Sequence, residues 1–311
     1  MPTPPSTLRL ALTAGVGLAL LAGCGTSSDS KNQTSTSHGS SHKIAVTAST
    51  NVYGDIARQI GGDRVEITSV ISDPAQDPHS YEANTQNQLT LSKAKVVIEN
   101  GGGYDDFIDR MLRSGGNSSA QLINAVEVSG RTAPKGGALN EHVWYDFPTV
   151  AKIADRIAAA LGKADPAHAA TFTKNAATFK GKLAGLEVKE ADIKKKHDGE
   201  AISITEPVPL YLTEASGLVN KTPEEFSTAI EEGRDVSPKV LQETLALYSG
   251  KQVKALLRNA QTSGPQSEKV ESAAKTADIP VVPVTETLPK GKDYLGWMTS
   301  NVDALASALG K

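Results

Sequence analysis

The chain reads as an α/β protein of two (β/α) lobes, each carrying a parallel-type sheet, joined by a long linker helix. Three observations predict this. Short β-branched runs alternate with longer helical patterns, the signature of crossover connections. The runs fall into two groups, one on each side of the middle of the chain. Between the groups stands one extended helical pattern with no strand inside it.

Composition removes several other classes. The net charge is −3 over 311 residues and no stretch is rich in Lys or Arg, which argues against nucleic acid as a partner. Neither a glycine period nor heptads are present, so collagen and coiled coil are excluded.

Residues 1–23 read as an export signal. A weakly basic start ends at Arg9, and residues 10–22 are an apolar run too short to persist as a membrane-spanning helix. Leu21-Ala22-Gly23-Cys24 resembles a bacterial lipobox, in which cleavage leaves the cysteine as the lipid-modified first residue. Cys24 is the only cysteine, so no disulfide, redox pair or thiolate cluster competes for it. Residues 24–42 read as a tether. Residues 25–41 hold no apolar side chain able to repay the entropy of ordering them, and their reach of about 20 to 25 Å keeps the folded body near the membrane.

The N-terminal lobe, 43–164, opens with a strand at 43–49. A helical pattern follows from Asn51 through Ile56 and Ile60 to Gly61-Gly62, and further strands are expected at 65–71 and 96–100. The linker is 165–199, with Asp165-Pro166 as its start and Gly199 as its stop. Phe172, Ala176, Phe179, Leu183, Leu186 and Ile193 form a narrow stripe broken by Glu190, as suits a helix lying across other elements. About 30 residues at ~1.5 Å each would span about 45 Å. Gly181 and Gly185 oppose helix there, by up to about 1 kcal/mol each. In the C-terminal lobe, 200–311, strands are expected at 201–205, 253–259 and 279–285. Thr222-Pro223-Glu224-Glu225 has the pattern of a capping box, and Ser237-Pro238 starts another helix. Leu295, Met298, Val302, Leu305 and Leu309 make a helical stripe over 294–309 that should pack onto this lobe.

Chemistry is sought among the six histidines, because no thiolate competes with them as a soft ligand. His38 and His42 lie in the tether or at its edge, and His168 and His197 lie at the two ends of the linker, where a surface role suffices. His79 and His142 sit in loops between elements, flanked by carboxylates, where α/β folds place their sites. Two such loops do not by themselves make a metal site, which usually needs three or four donors.

Asp77-Pro78-His79-Ser80-Tyr81-Glu82 resembles the DPHxxE motif of the cluster A-I metal-binding receptors of bacterial ABC importers, the ZnuA/TroA/PsaA-like lipoproteins. His142-Val143-Trp144 resembles their HVW motif. Thr205-Glu206-Pro207-Val208-Pro209-Leu210-Tyr211 is similar to their third ligand loop, and the segment from Pro280 through Glu286 to Pro289 to their fourth. The resemblance covers the whole mature body. It implies a four-donor site in the cleft between lobes, made of His79, His142, Glu206 and Glu286, two donors from each lobe. Here Glu141 precedes His142, and Glu286 stands where Asp is more usual; Glu82 or a water is the alternative to Glu286.

Two imidazoles and two carboxylates form a mixed set, too soft for a Ca²⁺ or Mg²⁺ cage and without the sulfur expected for Cu(I). Mn²⁺, Zn²⁺ and Fe²⁺ remain as cargo. Glu206, where zinc receptors often have a third histidine, places Mn²⁺ slightly ahead. The resemblance further implies a non-enzymatic monomer on the outer face of the cytoplasmic membrane, anchored through Cys24, with a permease and its ATPase as partners. The alternatives are a surface adhesin and a metallohydrolase with Glu82 or Asp146 as base. Metal binding is expected to draw Glu206 and Glu286 together and close the lobes slightly, within limits set by the long helix. Protonation of His79 and His142 is expected to weaken it below about pH 6.

Overall fold

The structure, a computed structural model, describes residues 43–310 apart from 74–75, 77–80 and 136. The first sheet contains β1 (Ile44–Thr50), β2 (Val65–Ile71), β3 (Val96–Glu99) and β4 (Gln121–Asn124) in the order β2-β1-β3-β4, all parallel. Its connections run through α1 (Asn51–Gly61), α2 (Thr85–Lys93) and α3 (Phe107–Gly115), and α4 (Ala125–Ser129) and α5 (Phe147–Ala164) follow β4. All four residues of β3 are buried, as a strand covered on both faces requires.

After a short 3₁₀ turn at Pro166–His168, the long helix α6 (Ala169–His197) leads into the second half. There β5 (Ala201–Ile204), β6 (Val219–Asn220), β7 (Leu256–Asn259) and β8 (Val281–Val284) form a second parallel sheet, ordered β6-β5-β7-β8. Around it lie α7 (Leu210–Ala215), α8 (Glu224–Glu231), α9 (Pro238–Ser249), α10 (Pro265–Thr276) and α11 (Tyr294–Leu309). The α/β architecture with two parallel sheets is the one the alternation predicts. Each sheet changes winding direction beside its first strand, between β1 and β3 and between β5 and β7, which is where open α/β sheets bind ligands.

The stripe on α6 is buried throughout: Phe172, Ala176, Phe179, Leu183, Leu186 and Ile193 all join one apolar cluster that runs through both halves. Glu190 is buried in the same row at 4% exposure. An added Cβ at Gly181 or Gly185 would meet nothing, so both face outward and cost only propensity. Helix α11 packs on β8, and also on α6 and α1. It therefore bridges the halves rather than serving the second alone. Polar contacts do the same: Asn51 exchanges two hydrogen bonds with the backbone of Leu288 (3.0 and 2.8 Å), and the Tyr145 hydroxyl donates to Thr285 O at 2.7 Å.

Several local expectations need correction. Asp165 and Pro166 open the 3₁₀ turn and not the α-helix, and the Asp165 carboxylate meets His168 Nδ1 at 2.7 Å. Thr222 does not cap α8, which starts at Glu224 without a side-chain cap. Its hydroxyl is taken instead by β5, accepting from Ile204 N at 2.9 Å and donating to Ile204 O at 3.2 Å. Ser237 does cap α9, accepting from Val240 N. Strands β4 and β6 were not foreseen: β6 has two residues, and Leu122 of β4 is 44% exposed, so neither carries a strong apolar signal.

Candidate metal centre

His142 lies in the connection between α4 and α5, at the mouth of a 3₁₀ turn, Val143–Tyr145. Its ring is wholly buried and packed edge-on against Tyr104 and Trp144, with centroids 6.0 and 5.0 Å away. Asn140 Oδ1 sits 2.7 Å from His142 Nδ1, a contact that places the proton on Nδ1 and the lone pair on Nε2. Asn140 also donates to Pro207 O at 3.2 Å, and Tyr211 OH donates to Asn140 O at 2.6 Å. The residue that orients the imidazole is therefore tied to the second half beside Glu206.

Glu206 follows β5, Glu286 follows β8, and Asn259 ends β7 between them. Both carboxylates are 2% exposed. The Asn259 side-chain amide donates to Glu206 Oε2 and to Glu286 Oε1, each at 2.7 Å. Thr262 OH adds a contact to Glu206 Oε2 at 3.3 Å, and Tyr104 OH donates to Glu286 Oε2 at 3.2 Å across the halves. Tyr104 reaches that point because Gly101, Gly102 and Gly103 all take positive φ, and the Asp105 carboxylate accepts from the N–H groups of Asn100 and Gly101. A Cβ on Gly101 would fall 2.2 Å from the Asn124 side chain, so the turn demands glycine there.

His142 and Glu286 meet across the cleft, with Nε2 and Oε2 3.9 Å apart. Sequence reasoning missed Glu231, the last residue of α8, whose Oε1 lies 3.8 Å from the same nitrogen. Ligating atoms of Glu141, His142 and Glu231 all fall within 4.8 Å of one another. Burial pushes Glu231 up to about 9, and Glu141, Glu206, Glu286 and Glu232 add to the rise by charge. Burial likewise lifts Glu141 to about 6. So many carboxylates around one imidazole create a demand for positive charge. The site adjoins a cleft of about 1450 Å³ whose lining includes Arg131, Glu141, Pro207, Tyr211, Glu231 and Thr262.

His79 and Cys24 lie outside the described residues. Glu82 is exposed, and Asp146 is held by two hydrogen bonds from Arg131, 3.2 and 2.9 Å long, leaving it poorly placed as a base. The expected motion also needs revision. Glu206 and Glu286 belong to the same sheet and already share Asn259, so drawing them together would not close the halves. Any closing pull must act between the histidine side and the carboxylate side.

The family described as "ZnuA: Zinc-uptake complex component A periplasmic" matches residues 46–308. The chain belongs to this family. It is 29% identical over 318 residues to the manganese-binding lipoprotein MntA of Bacillus subtilis, covering 97% of this chain and all of that one. It is 23% identical over 337 residues to an iron ABC transporter substrate-binding lipoprotein, MtsA, of Streptococcus pyogenes, covering 98% and 99%. Among solved structures, the periplasmic zinc-binding protein TroA of Treponema pallidum superposes with a TM-score of 0.73 at 19% identity, covering 86% of this chain and 99% of that one. MtsA is thus named as the substrate-binding lipoprotein of an ABC transporter, and the metals in the names of the three relatives differ. Among the described residues no helix is long and apolar enough to cross a membrane.

Proposed function

We propose that this protein captures one divalent transition-metal ion between its two halves and hands it to an ABC importer. His79, His142, Glu206 and Glu286 are the donors, and Mn²⁺ is preferred slightly over Zn²⁺, with Fe²⁺ also accepted. Residues 1–23 direct export, lipid on Cys24 holds the chain to the outer face of the cytoplasmic membrane, and 24–42 tether a monomeric body whose lobes, 43–164 and 200–311, flank the linker 165–199.

The observation that carries this reading is the facing of His142 Nε2 and Glu286 Oε2 at 3.9 Å, with Glu206 hung from the same amide as Glu286. A buried imidazole with its lone pair turned toward buried carboxylates is a poor arrangement for a protein alone and a good one for a cation. Mixed nitrogen and oxygen donors suit the first-row divalent ions. MntA is named for manganese and MtsA for iron, which fits a site of this mixed character.

The test is metal content and competition on the full-length protein, purified in detergent, stripped with chelator and offered Mn²⁺, Zn²⁺ and Fe²⁺ singly and in mixtures. One tightly held ion per chain, lost in both H79A and E206A, is the expected result. Binding that survives both substitutions would remove the donor assignment. Transfer is tested by adding the loaded protein to vesicles holding the permease and ATPase, where metal should enter only with ATP.

A further inference from the structure

We propose that Glu231 is a further donor to the ion, adding one more carboxylate beside His142 and Glu286 and so favouring cargo able to take more than four ligands. The inference rests on reading the cleft as a metal receptor.

Glu231 and Glu286 approach the same nitrogen from different elements. Their nearest oxygens stand 3.8 and 3.9 Å from His142 Nε2. Donors held about 2.0 to 2.2 Å from one ion lie roughly 3 to 4.4 Å from each other, so both separations fit a shared ion. The Glu231 Oε1 atom is buried and has no hydrogen-bond partner among the described residues. No lysine or arginine among those residues pairs with it.

The adjoining residue shows that this orientation is not forced by the helix end. Glu232, one position on, is exposed and pairs with Arg234. A carboxylate at the end of a surface helix ordinarily stays in water, because burying it unpaired costs several kcal/mol. Glu231 instead turns inward toward His142 Nε2. A cation bound at His142 Nε2 would lie within reach of Glu231 as well as of Glu286.

A third carboxylate changes which ion fits. Four donors of mixed type suit tetrahedral Zn²⁺, whereas oxygen-rich sets with more ligands suit Mn²⁺. Glu231 therefore acts as a residue that sets specificity, raising Mn²⁺ affinity more than Zn²⁺ affinity.

The experiment compares the full-length protein in detergent, stripped with chelator, with its E231Q and E231D variants. Mn²⁺ and Zn²⁺ affinities are read by indicator competition, and the visible absorption of bound Co²⁺ reports coordination number, weak for more than four ligands and intense for four. E231Q should weaken Mn²⁺ binding at least ~10-fold, about 1.4 kcal/mol, and Zn²⁺ binding less than ~3-fold. It should also intensify the Co²⁺ bands, while E231D recovers part of the Mn²⁺ affinity. Metal-free E231Q should melt no lower than the parent, since the amide is close in size and shape to the carboxyl it replaces. An unchanged Mn²⁺ to Zn²⁺ ratio and an unchanged Co²⁺ spectrum in E231Q, in a protein that binds metal and loses it in H142A, would overturn the role of Glu231 alone. A parent protein that binds none of the three ions would overturn the receptor reading itself.

Discussion

The two halves wind their strands in the same order, yet they hold their contributions to the cleft in opposite ways. In the first half, His142 stands clear of the strand ends, on a short turn, and is fixed by aromatic walls and one amide oxygen. In the second, Glu206 and Glu286 come directly off β5 and β8 and hang from Asn259 at the tip of β7. The difference follows from charge. A neutral imidazole can be held by apolar packing at little cost, whereas a buried carboxylate needs donors, each charge-assisted hydrogen bond contributing about 1.5 to 3 kcal/mol. Neutral ligands can therefore ride on loops, while charged ones are placed where strand ends bring an amide between them.

Direct removal of the imidazole, the proposed nitrogen donor of the first half, should have the largest effect. H142A should lower metal affinity at least ~100-fold, about 2.7 kcal/mol, measured by competition titration. Retained affinity would mean that the first half contributes no ligand at this point, and the contrast would collapse. Removal of the cradle should come next: N259A touches no metal but should weaken binding about 10- to 100-fold, the usual scale for groups that orient ligands. It should also lower metal-free stability, because two buried carboxylates lose their common donor. If N259A binds metal as tightly as the parent, the second half needs no such support.

Between the halves, Glu190 on α6 tests how the joint tolerates charge. Burial raises this carboxyl from 4.5 to about 8, with Glu187 and Asp146 adding by charge. The folded protein therefore holds its proton more tightly than the unfolded chain does. The associated stability is full below about pH 4.5 and is lost as pH rises towards about 8. In E190Q that loss is absent, so metal-free E190Q should match the parent near pH 4.5 and exceed it by roughly 2 kcal/mol at pH 8 in urea unfolding, partial hydration of the carboxyl being allowed for. The smallest effect is expected from T222A, which removes two hydrogen bonds to Ile204 and should cost about 1 kcal/mol without altering metal affinity.

Much of this architecture is legible in the sequence where the deciding interactions are local. Ser237-Pro238 starts α9 because the serine hydroxyl and the Val240 N–H are three residues apart. The run 294–309 is α11 because its stripe alone identifies a buried face. The capping-box pattern at Thr222 misleads, since a hydroxyl has one best partner and a strand 18 residues away supplies it. Edge strands β4 and β6 escape notice because pairing, rather than composition, makes them strands.

The site divides along the same line. Motifs pointed to His79, which lies outside the described residues, and to His142, Glu206 and Glu286, since each lies in a short recognisable segment. Nothing local marks Asn259 or Glu231. Asn259 matters only because β7 lies between β5 and β8, so that one amide spans partners 53 and 27 residues away. Glu231 reads as an ordinary acid on an exposed helix, like Glu232, until the fold turns it toward an imidazole from the other half.

Sequence by itself determined the α/β alternation, the long joining helix and the chemical types available for a metal, because periodicity, turn chemistry and donor identity are properties of short stretches. Only the tertiary structure decided which carboxylates share a donor, which hydroxyl leaves its helix for a strand, and which acid faces inward. Those choices depend on distance through space, where burial makes an unpaired polar group costly and proximity of like charges makes a cation welcome.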